Sequence, residues 1–479
     1  MTETSKEPHY TENVQEHLQH VQRLLEKHVL VMSIPRAEHQ EVADLLLQKR
    51  HLNELQDKLN ELHPADIAFI LEALPIEQRL LVWDMVKADR DGEILIEVSD
   101  AVRESLIAAM SREELREAAE QLDTDEIADL APDLPHSVMR DVFKSLSIEE
   151  REQLRAAMSY PQDAVGALMD FNMVTIREDV TLEVVSRYLR RFDDLPDHTD
   201  QLFVVDRDDQ FKGVLPLNKL LVNEPEVEVA LLMVTDTITL HPDDKAHQAA
   251  QAFERYGLVS APVVDEDGKL LGRVPVNAVV DFIRAESESD VLNLAGLREE
   301  EDIFASVWKS AKNRWMWLAL NLCTAFFASR VISGFEGTIE KFVALAALMP
   351  IVAGIAGNSG NQTITIIIRS LALGQINPGN ARQLLVKELG ISLLNGLVWG
   401  GIAGGFAYLL YKSVPLGLVM TGAMLLNLLL GALVGMLIPL TMQKLGRDPA
   451  IGSSVLLTAI TDSGGFFIFL GLANLVLMR

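Results

Sequence analysis

The sequence predicts a multidomain membrane protein in which an all-α helical superhelix, a tandem α+β module and a connecting helix precede a five-helix transmembrane domain. Charge divides the 479 residues in two: residues 1–310 carry 64 acidic and 31 basic side chains, whereas residues 311–479 carry 5 and 11. The second part contains five apolar runs that each reach the roughly 20 residues needed to span a bilayer. Two different repeats occur in the first part, so we expect each repeat to build its own domain.

These observations place the boundaries between the parts. We expect a helical extension over 1–50, an acidic helical domain over 51–160, the tandem α+β module over 161–285, a connecting helix over 286–312 and a five-helix transmembrane pore domain over 313–479.

The helical domain is predicted from a repeated motif. The pattern Leu-x3-acidic-Ile-Ala-x5-Leu-Pro starts at Leu62 and recurs sixty residues later at Leu122. A fixed period with recurring helix starts and Pro stops is typical of a short helical superhelix.

The α+β module is predicted from a second repeat, offset by 59 residues, over 164–285. An apolar strand ends at Asp206 in one copy and at Asp265 in the other, and a Gly-led strand then reaches Pro216 or Pro275. Each copy also has an amphipathic helix before these strands. Two copies in register resemble a pair of CBS domains.

The segment 286–312 begins with acidic residues, continues with Val291, Leu292 and Leu294, and ends just past Trp308. This pattern favours a helix that lies along the mouth of the membrane domain and couples it to the acidic part. An inert linker helix is the alternative.

The five spans are expected at about 314–333, 342–369, 388–411, 415–442 and 450–478. Their basic flanks are uneven, with seven residues on one side (Lys312, Arg314, Arg369, Arg382, Lys387, Lys444 and Arg447) and three on the other (Lys341, Lys412 and Arg479). The positive-inside rule therefore predicts a cytoplasmic N-terminal half and an external C-terminus.

A polar element, Gly-Asn-Ser-Gly-Asn-Gln over 357–362, interrupts the second apolar run. Gly357, Asn358 and Asn361 share one helical face with Gly354, and Gln362 follows them. Hydrocarbon cannot solvate amides, so this face is expected to meet partners or a water-filled path.

One carboxylate, Asp462, lies near the middle of the fifth run, where an ionisable residue indicates a functional site. We expect a cation site there; a structural pairing with Arg330 is the alternative. Glu388 is expected at the membrane interface. Asp448, followed by Pro449, is expected to cap the fifth helix.

Several classes are not favoured. The acidity would repel nucleic acid, and a single cysteine, Cys323, permits no intrachain disulfide. The first residues lack the apolar segment of a signal peptide. We find no phosphate-binding loop, no His/Cys metal spacing and no nucleophile elbow, so the sequence does not predict an enzyme.

The order of the parts is similar to that of the MgtE-type magnesium channels and transporters of bacteria. Three motifs carry the resemblance: Met-Pro-x6-Gly-Asn-Ser-Gly-Asn-Gln from Met349, Leu-Gly-x-Asp-Pro-Ala from Leu445, and Thr-Asp-x-Gly from Thr461. The resemblance covers about residues 50–479. It implies a multi-pass homodimer in the lipid bilayer of a bacterial inner membrane, with one ion path at the dimer axis.

The resemblance also implies roles for individual residues. Asp462 would bind hydrated Mg2+ beside the amide face. The residues Asp281, Glu286 and Asp290 would belong to an acidic cluster that senses internal Mg2+ and closes the pore through the connecting, or plug, helix. Mg2+ favours one or two carboxylates and retains several waters, which fits such a path.

The resemblance therefore implies a magnesium importer gated by internal Mg2+. The alternatives are transport of another divalent ion such as Co2+, an exchanger, and a membrane-anchored sensor that conducts nothing. ATP binding is not expected, because Pro216 and Pro275 replace the usual hydroxyl residue, and Lys219 and Ala278 replace the usual Asp.

Overall fold

The computed structural model describes residues 10–33, 41–297, 302–372, 374–376 and 379–478. Residues 1–9 and 34–40 of the predicted extension lie outside this description. The chain forms two compact units, which we call the N-terminal unit (residues 1–286 and 301–305) and the membrane unit (residues 287–300 and 306–479).

The first part of the N-terminal unit is helical. Its α-helices are α1 (Tyr10–Ser33), α2 (Glu41–Glu61), α3 (Pro64–Glu72), α4 (Ile76–Trp83), α5 (Asp91–Glu97), α6 (Asp100–Ile107), α7 (Arg112–Glu120), α8 (Thr124–Leu130), α9 (His136–Ser145) and α10 (Ile148–Ala157). One apolar core, which runs from Val21 to Leu154, joins these helices.

The repeated motif builds the same local structure twice. Pro75 and Pro135 occupy the position before α4 and α9 with φ of −56° and −57°. The preceding leucines, Leu74 and Leu134, are buried in the core. Pro suits a helix start because its missing N–H would find no helical partner there. The predicted all-α superhelix is confirmed.

The second part of the N-terminal unit is α+β. Its elements are β1 (Thr175–Arg177), α11 (Leu182–Leu189), β2 (Gln201–Val205), β3 (Phe211–Pro216), α12 (Leu217–Val222), α13 (Val229–Leu232), α14 (Ala246–Tyr256), β4 (Ser260–Val264), β5 (Leu270–Pro275) and α15 (Val276–Ala295). The hairpins β2–β3 and β4–β5 repeat one register, with Gln201 opposite Pro216 and Ser260 opposite Pro275. Each hairpin has a bulge at its valine pair, so the sequence repeat is a repeat of structure.

The connecting helix differs from its prediction. Instead of one helix over 286–312, α15 continues from the α+β part to Ala295, and Gly296 follows with φ of +80°. A new helix begins at Val307 with Ser306 as its N-cap, since the Ser306 hydroxyl accepts from the amide of Lys309. The left-handed backbone at Gly296 suits glycine and ends the helix, as such residues commonly do.

The membrane unit consists of long helices. They are α16 (Val307–Ser333), the short α17 (Glu336–Lys341), α18 (Ala344–Ala372), α19 (Ala381–Tyr411), α20 (Val414–Lys444) and α21 (Ser453–Leu477). In the described part of the chain, α16, α19, α20 and α21 are long and apolar enough to cross a membrane. With 29 residues α18 is also long enough, but its amide element lowers its hydropathy.

Helix α20 packs closely against both α18 and α21. Gly431 and Gly435 face the carbonyl oxygens of Ala356 and Gly360 on α18, and a Cβ on either glycine would lie 2.9 Å from that oxygen. One turn earlier, the Asn427 amide donates to the Val352 carbonyl at 3.1 Å. These pairs advance together by four residues, so α18 and α20 run parallel with their backbones in contact.

Candidate ion pathway and metal-binding residues

Asp462 lies well inside α21, between two and three turns after Ser453 and about four turns before Leu477. Its side chain is partly exposed, and it forms no ion pair with any described residue, Arg330 included. The neighbouring Thr461 is fully buried. An unpaired carboxylate at this depth is costly unless it faces water or a cation.

The amide element lies on α18 beside this part of α21. A Cβ on Gly357 would lie 3.7 Å from the Thr461 hydroxyl, so the two helices approach closely next to Asp462. One turn further along α18, Asn361 accepts a hydrogen bond from Ser454 of α21 at 3.0 Å. The structure therefore brings together the helices that carry the predicted pore residues.

The amide residues do not all point the same way. Gly357 and Asn361 are half-buried against α21, whereas Asn358 and Gln362 are exposed on the single chain. Gly360, between them, is buried against Leu457 and the Gly431 carbonyl. One side of the amide element thus packs against neighbouring helices. Asn358 and Gln362, on the other side, remain exposed.

Glu388 lies two turns after the start of α19, and its predicted place at the membrane interface stays a prediction. The residue is only 4 % exposed, because α19 places it against α18. Its Oε2 lies 3.2 Å from the Thr363 hydroxyl, which also lies 3.4 Å from the Ser359 carbonyl. The sequence interpretation placed Glu388 by its distance from the end of the run and missed the polar partner on another helix.

Asp448 also departs from its prediction. Helix α21 begins at Ser453, and Gly452 occupies the N-cap position with φ of +69°, so Asp448 does not cap it. Instead Asp448 accepts from the Ala450 amide at 2.7 Å and from Asn293 Nδ2 at 3.1 Å. The carboxylate thereby joins the last turn of α15 to the start of α21.

A tryptophan lies in the same region. The ring of Trp317 on α16 lies near both Gly296 and Gly452: a Cβ on Gly296 would be 3.3 Å from the ring, and one on Gly452 would be 2.8 Å away. Only residues without side chains fit at both positions. The end of the connecting helix, the first span and the start of α21 are thus packed together.

The three predicted cytoplasmic metal residues all lie on α15. Glu286 and Asp290 are one turn apart on one face, whereas Asp281 is on nearly the opposite face. No group of three or more His, Cys, Asp or Glu side chains is placed to hold a metal ion within the described residues. A single chain therefore does not assemble the predicted cluster.

Asp281 instead meets carboxylates of the helical part. Partial desolvation raises the pKa of Asp281 itself. Burial and then the Asp281 charge raise the pKa of Glu97. Burial also raises the pKa of Asp129 to about 6, against the lowering effect of Arg103, and the charges of Asp100 and Asp281 add to the rise. These carboxylates are close enough to repel one another.

A second acidic group surrounds Asp125. Burial raises the pKa of Asp125 to about 8, and the charge of Asp170 is the next largest cause. Asp170 is itself ion-paired with the buried Arg273, at 2.7 Å. Asp123 and Glu126 add further repulsion. Such pKa values mean that ionising this group is costly as long as no cation joins it.

A buried ion pair anchors the segment before α16. Arg79 is fully buried, and its guanidinium binds Asp302 through two hydrogen bonds of 2.6 and 3.1 Å. It also donates to the carbonyls of Leu71 and Leu74 and to the Ser105 hydroxyl. Both charges are thus satisfied, as a buried pair requires. Asp302 precedes α16 by only five residues.

Lys219, which stands where CBS domains that bind nucleotides usually have an Asp, has a different role in this chain. Lys219 donates to the Leu232 carbonyl at 2.8 Å, within its own copy of the module. Pro216 ends β3 in the first copy and Pro275 ends β5 in the second. Neither copy offers a hydroxyl or a carboxylate at these positions.

Sequence reasoning missed Glu97, Asp129, Asp125 and the Arg79–Asp302 pair. The last joins residues 223 positions apart, a separation that no local pattern encodes. The helical repeat offered a signal only for Asp125 and its neighbour Glu126, because the acidic position of the motif recurs there.

Three family models match the chain. The MgtE divalent cation transporter model matches residues 349–472, the MgtE intracellular N domain model matches 62–163, and the CBS domain model matches 165–223 and 227–285. The first includes Asp462 and the amide element, and the others cover both repeats.

Relatives match over most of their length. The magnesium transporter MgtE of Thermus thermophilus is 30 % identical over 440 residues, which cover 90 % of this chain and 97 % of that protein. That of Bacillus subtilis is 27 % identical over 430 residues, which cover 90 % and 95 %. These relatives are named as transporters, not as enzymes.

A solved structure is similar to the first half of the chain. The cytosolic domain of the Mg2+ channel MgtE in complex with ATP is 30 % identical, with a TM-score of 0.45, and covers 50 % of this chain and 97 % of that one. The bound ATP is a property of that protein.

Proposed function

The chain belongs to the MgtE family of divalent cation transporters, and from this premise we propose that it imports Mg2+ into the cytoplasm through a pore that internal Mg2+ closes. The observation that carries the proposal is Asp462, a carboxylate well inside a spanning helix with no ion-pair partner among the described residues. A protein that only sensed Mg2+ would not need it.

The ion is proposed to pass as a hydrated cation. Mg2+ gives up its waters reluctantly and commonly binds one or two carboxylates through a retained water shell. Asp462 would attract the ion, and the oxygens of Asn358, Asn361 and Gln362 would bind its waters. The close approach of Gly357 to Thr461 supports this arrangement, because it holds the amide element beside Asp462.

A homodimer would complete the path. Asn358 and Gln362 are exposed on the single chain, and amides facing hydrocarbon are unfavourable. A second copy related by a twofold axis would cover this face and place two Asp462 side chains on one path. The exposed amides support the dimer because a monomer would leave them in lipid.

Gating is proposed to follow from the acidic groups of the N-terminal unit. Burial and then the repulsion of nearby carboxylates raise the pKa of Glu97, Asp129 and Asp125. Each ionised carboxylate would therefore gain stability from a bound Mg2+. Bound Mg2+ would thus favour a compact, closed state. The Arg79–Asp302 pair supports the coupling, because it fixes the segment that leads into α16.

Closure by internal Mg2+ requires the acidic half to face the cytoplasm. The seven basic flanking residues support that orientation over the reverse. The membrane potential would then drive a divalent cation inward, at about 2.3 kcal/mol per charge per 100 mV.

Two experiments test the function. A bacterium that depends on added Mg2+ should grow at limiting Mg2+ when it carries this chain, but not when it carries Asp462→Ala. In vesicles, a trapped Mg2+ dye should report flux, and Mg2+ on the side of the N-terminal unit should reduce it. Flux of Co2+ alone would favour the other divalent ion; metal binding without any flux would favour the sensor and overturn the proposal.

A further inference from the structure

An apolar groove follows the surface of the membrane unit between α19 and α21, across one face of α20. Its volume is about 740 Å3, within the range of sites that hold small ligands. The residues along it include Leu389, Gly390 and Leu393 of α19, Leu429 and Leu433 of α20, and Ile468 of α21. Every residue that the structure places along the groove is Leu, Ile or Gly, so the groove suits a hydrocarbon chain.

The groove is separate from the proposed ion path. Helix α20 contacts α18 through Asn427 and Gly431. Leu429 lies two positions from each of them, and a shift of two residues leads to nearly the opposite side of a helix. The amide element of α18 is therefore across α20 from the groove. A second copy that covered the exposed amides would meet a different face of the molecule.

Two basic side chains stand at one end of the groove. On α19, Arg382 lies about two turns before Leu389 and three before Leu393, so it shares their face. On α20, Lys444 lies about three turns after Leu433 and shares its face in the same way. A short connection makes the two helices antiparallel, so the start of α19 and the end of α20 reach the same membrane surface. Both basic side chains are exposed there.

These two cations have no exposed carboxylate on the helices that carry them. Helix α20 has no acidic residue, and the acidic residue of α19 is Glu388, which is buried against Thr363 of α18. Among the described residues, neither Arg382 nor Lys444 forms an ion pair. Basic side chains at the surface of a bilayer attract anionic headgroups, and basic pockets between spanning helices bind them.

The length of the groove along α19 matches one leaflet of a bilayer. The stretch from Arg382 to Leu393 rises about 16 Å, and half of the hydrocarbon core is about 15 Å thick. A phosphate at Arg382 would therefore place an acyl chain along the groove as far as the midplane. A phosphate without a chain would leave the apolar lining uncovered, and an uncharged lipid would leave the two cations without a partner.

From this arrangement we propose that the groove binds one anionic phospholipid, drawn from the leaflet at whose surface α19 begins. Its acyl chain lies along Leu393 and Leu433, and its phosphate lies between Arg382 and Lys444. The chain also contacts Ile468, which is less than two turns beyond Asp462 on α21, so the lipid supports the helix that carries this carboxylate. The binding of the lipid does not rest on the proposed transport function.

Native mass spectrometry tests the headgroup contacts. The full chain is released from vesicles of equal parts phosphatidylglycerol and phosphatidylcholine, and the lipid that stays bound is identified by mass. The wild type should retain one phosphatidylglycerol per chain, and the double variant Arg382→Gln, Lys444→Gln should retain it about tenfold less and without preference over phosphatidylcholine. Arg369→Gln is the matched control, because Arg369 is an exposed cation at the same surface on α18, which does not line the groove. Equal retention of the two lipids by the wild type, or an equal loss in Arg369→Gln, would overturn the proposal.

Gly390→Leu tests the acyl-chain contact with both cations in place. A Cβ on Gly390 meets no atom within 4 Å, so the new side chain can project into the groove without displacing the backbone. Retention of phosphatidylglycerol should fall about as far as in the double variant. Full retention in Gly390→Leu would mean that the cations hold a headgroup alone, as they would hold free phosphate, and would refute the groove as the site. A wild type that carries no lipid but separates into monomers in Gly390→Leu would show that a second copy fills the groove instead.

Discussion

Asp462 is the one acidic residue of α21, whereas carboxylates of the N-terminal unit lie in groups. There, burial and mutual repulsion raise the pKa of Asp125 to about 8 and that of Asp129 to about 6. In the proposed function, a lone carboxylate would attract a hydrated cation and let it leave, whereas a crowded group would gain stability from a cation and retain it. The comparison teaches that the same residue type would then serve passage or sensing, according to how many neighbours share its charge.

The largest expected effect comes from removing the lone carboxylate. Asp462→Ala should reduce Mg2+ uptake to the level of vesicles without protein, because no other charge lies within the spanning part of α21. Asp462→Asn should keep part of the rate if retained waters mediate the contact. Rescue of growth at limiting Mg2+ by the alanine variant would contradict the role of Asp462.

Next in size is the buried ion pair before α16. Arg79→Ala removes one side of a buried ion pair with Asp302, and breaking such a pair typically costs about 3–5 kcal/mol. We expect a lower unfolding free energy and weaker inhibition of uptake by Mg2+ on the side of the N-terminal unit. The matched control is Arg112→Ala, which breaks an exposed pair with Asp141 and should change little.

A smaller effect is expected from pH. Asp125 has a pKa of about 8 in the folded protein against an ordinary 3.8, so the folded state binds its proton more tightly than the unfolded state. The resulting stability is fully present below the ordinary pKa and is lost as pH rises through about 8. Without Mg2+, the unfolding free energy should therefore fall over this range.

The variant Asp125→Asn isolates that effect. It should flatten the pH dependence, and Mg2+ should flatten it in the wild type, because a bound cation favours the ionised carboxylate. Thermal unfolding at a series of pH values measures both. An equally steep fall in Asp125→Asn would show that other groups cause it.

Mg2+ should also slow proteolysis of residues 160–310, since a bridging ion makes the acidic groups more compact. Millimolar Mg2+ is compared with a monovalent salt of equal ionic strength, which screens charge but does not bridge carboxylates. Equal protection by the two salts would mean that general charge screening, not bridging by Mg2+, slows the proteolysis, and would contradict a sensing role for the crowded carboxylates.

The smallest expected effect concerns ATP. Lys219 and the two prolines leave the tandem module without the groups that hold a ribose and a phosphate. Calorimetry on the full chain should show Mg2+ binding but no ATP binding tighter than about millimolar, a free energy of about 4 kcal/mol. A micromolar, stoichiometric isotherm would make ATP a regulator of the N-terminal unit.

The sequence correctly predicted the features that follow from repeats and from runs of apolar residues. The copies that begin at Leu62 and Leu122, the two hairpins and the spanning helices all follow from local periodicity. The patterns failed where a distant partner decides: Asp448 binds Asn293 instead of capping α21. The contact between Glu388 and Thr363 of α18 also joins residues that no local pattern relates. The turn at Gly296 was missed because a single glycine between helical residues carries little signal.

The predicted site residues divide in the same way. The positions of Asp462 and the amide element on neighbouring helices could be anticipated from apolar runs and helical spacing. Glu97 and Asp129 could not, because their partner Asp281 lies far along the chain and meets them only after folding.

The parallel packing of α18 and α20 limits how the membrane unit can move. Their backbones touch at successive turns, through Gly431 against Ala356 and Gly435 against Gly360, so one helix cannot slide smoothly past the other. A slip would have to cover a whole turn, about 5.4 Å, and would separate every contact at once. We therefore expect α18 and α20 to move together as one rigid body. Any widening of the proposed path must come from tilting α18 and α20 together or from moving the helices that pack against them.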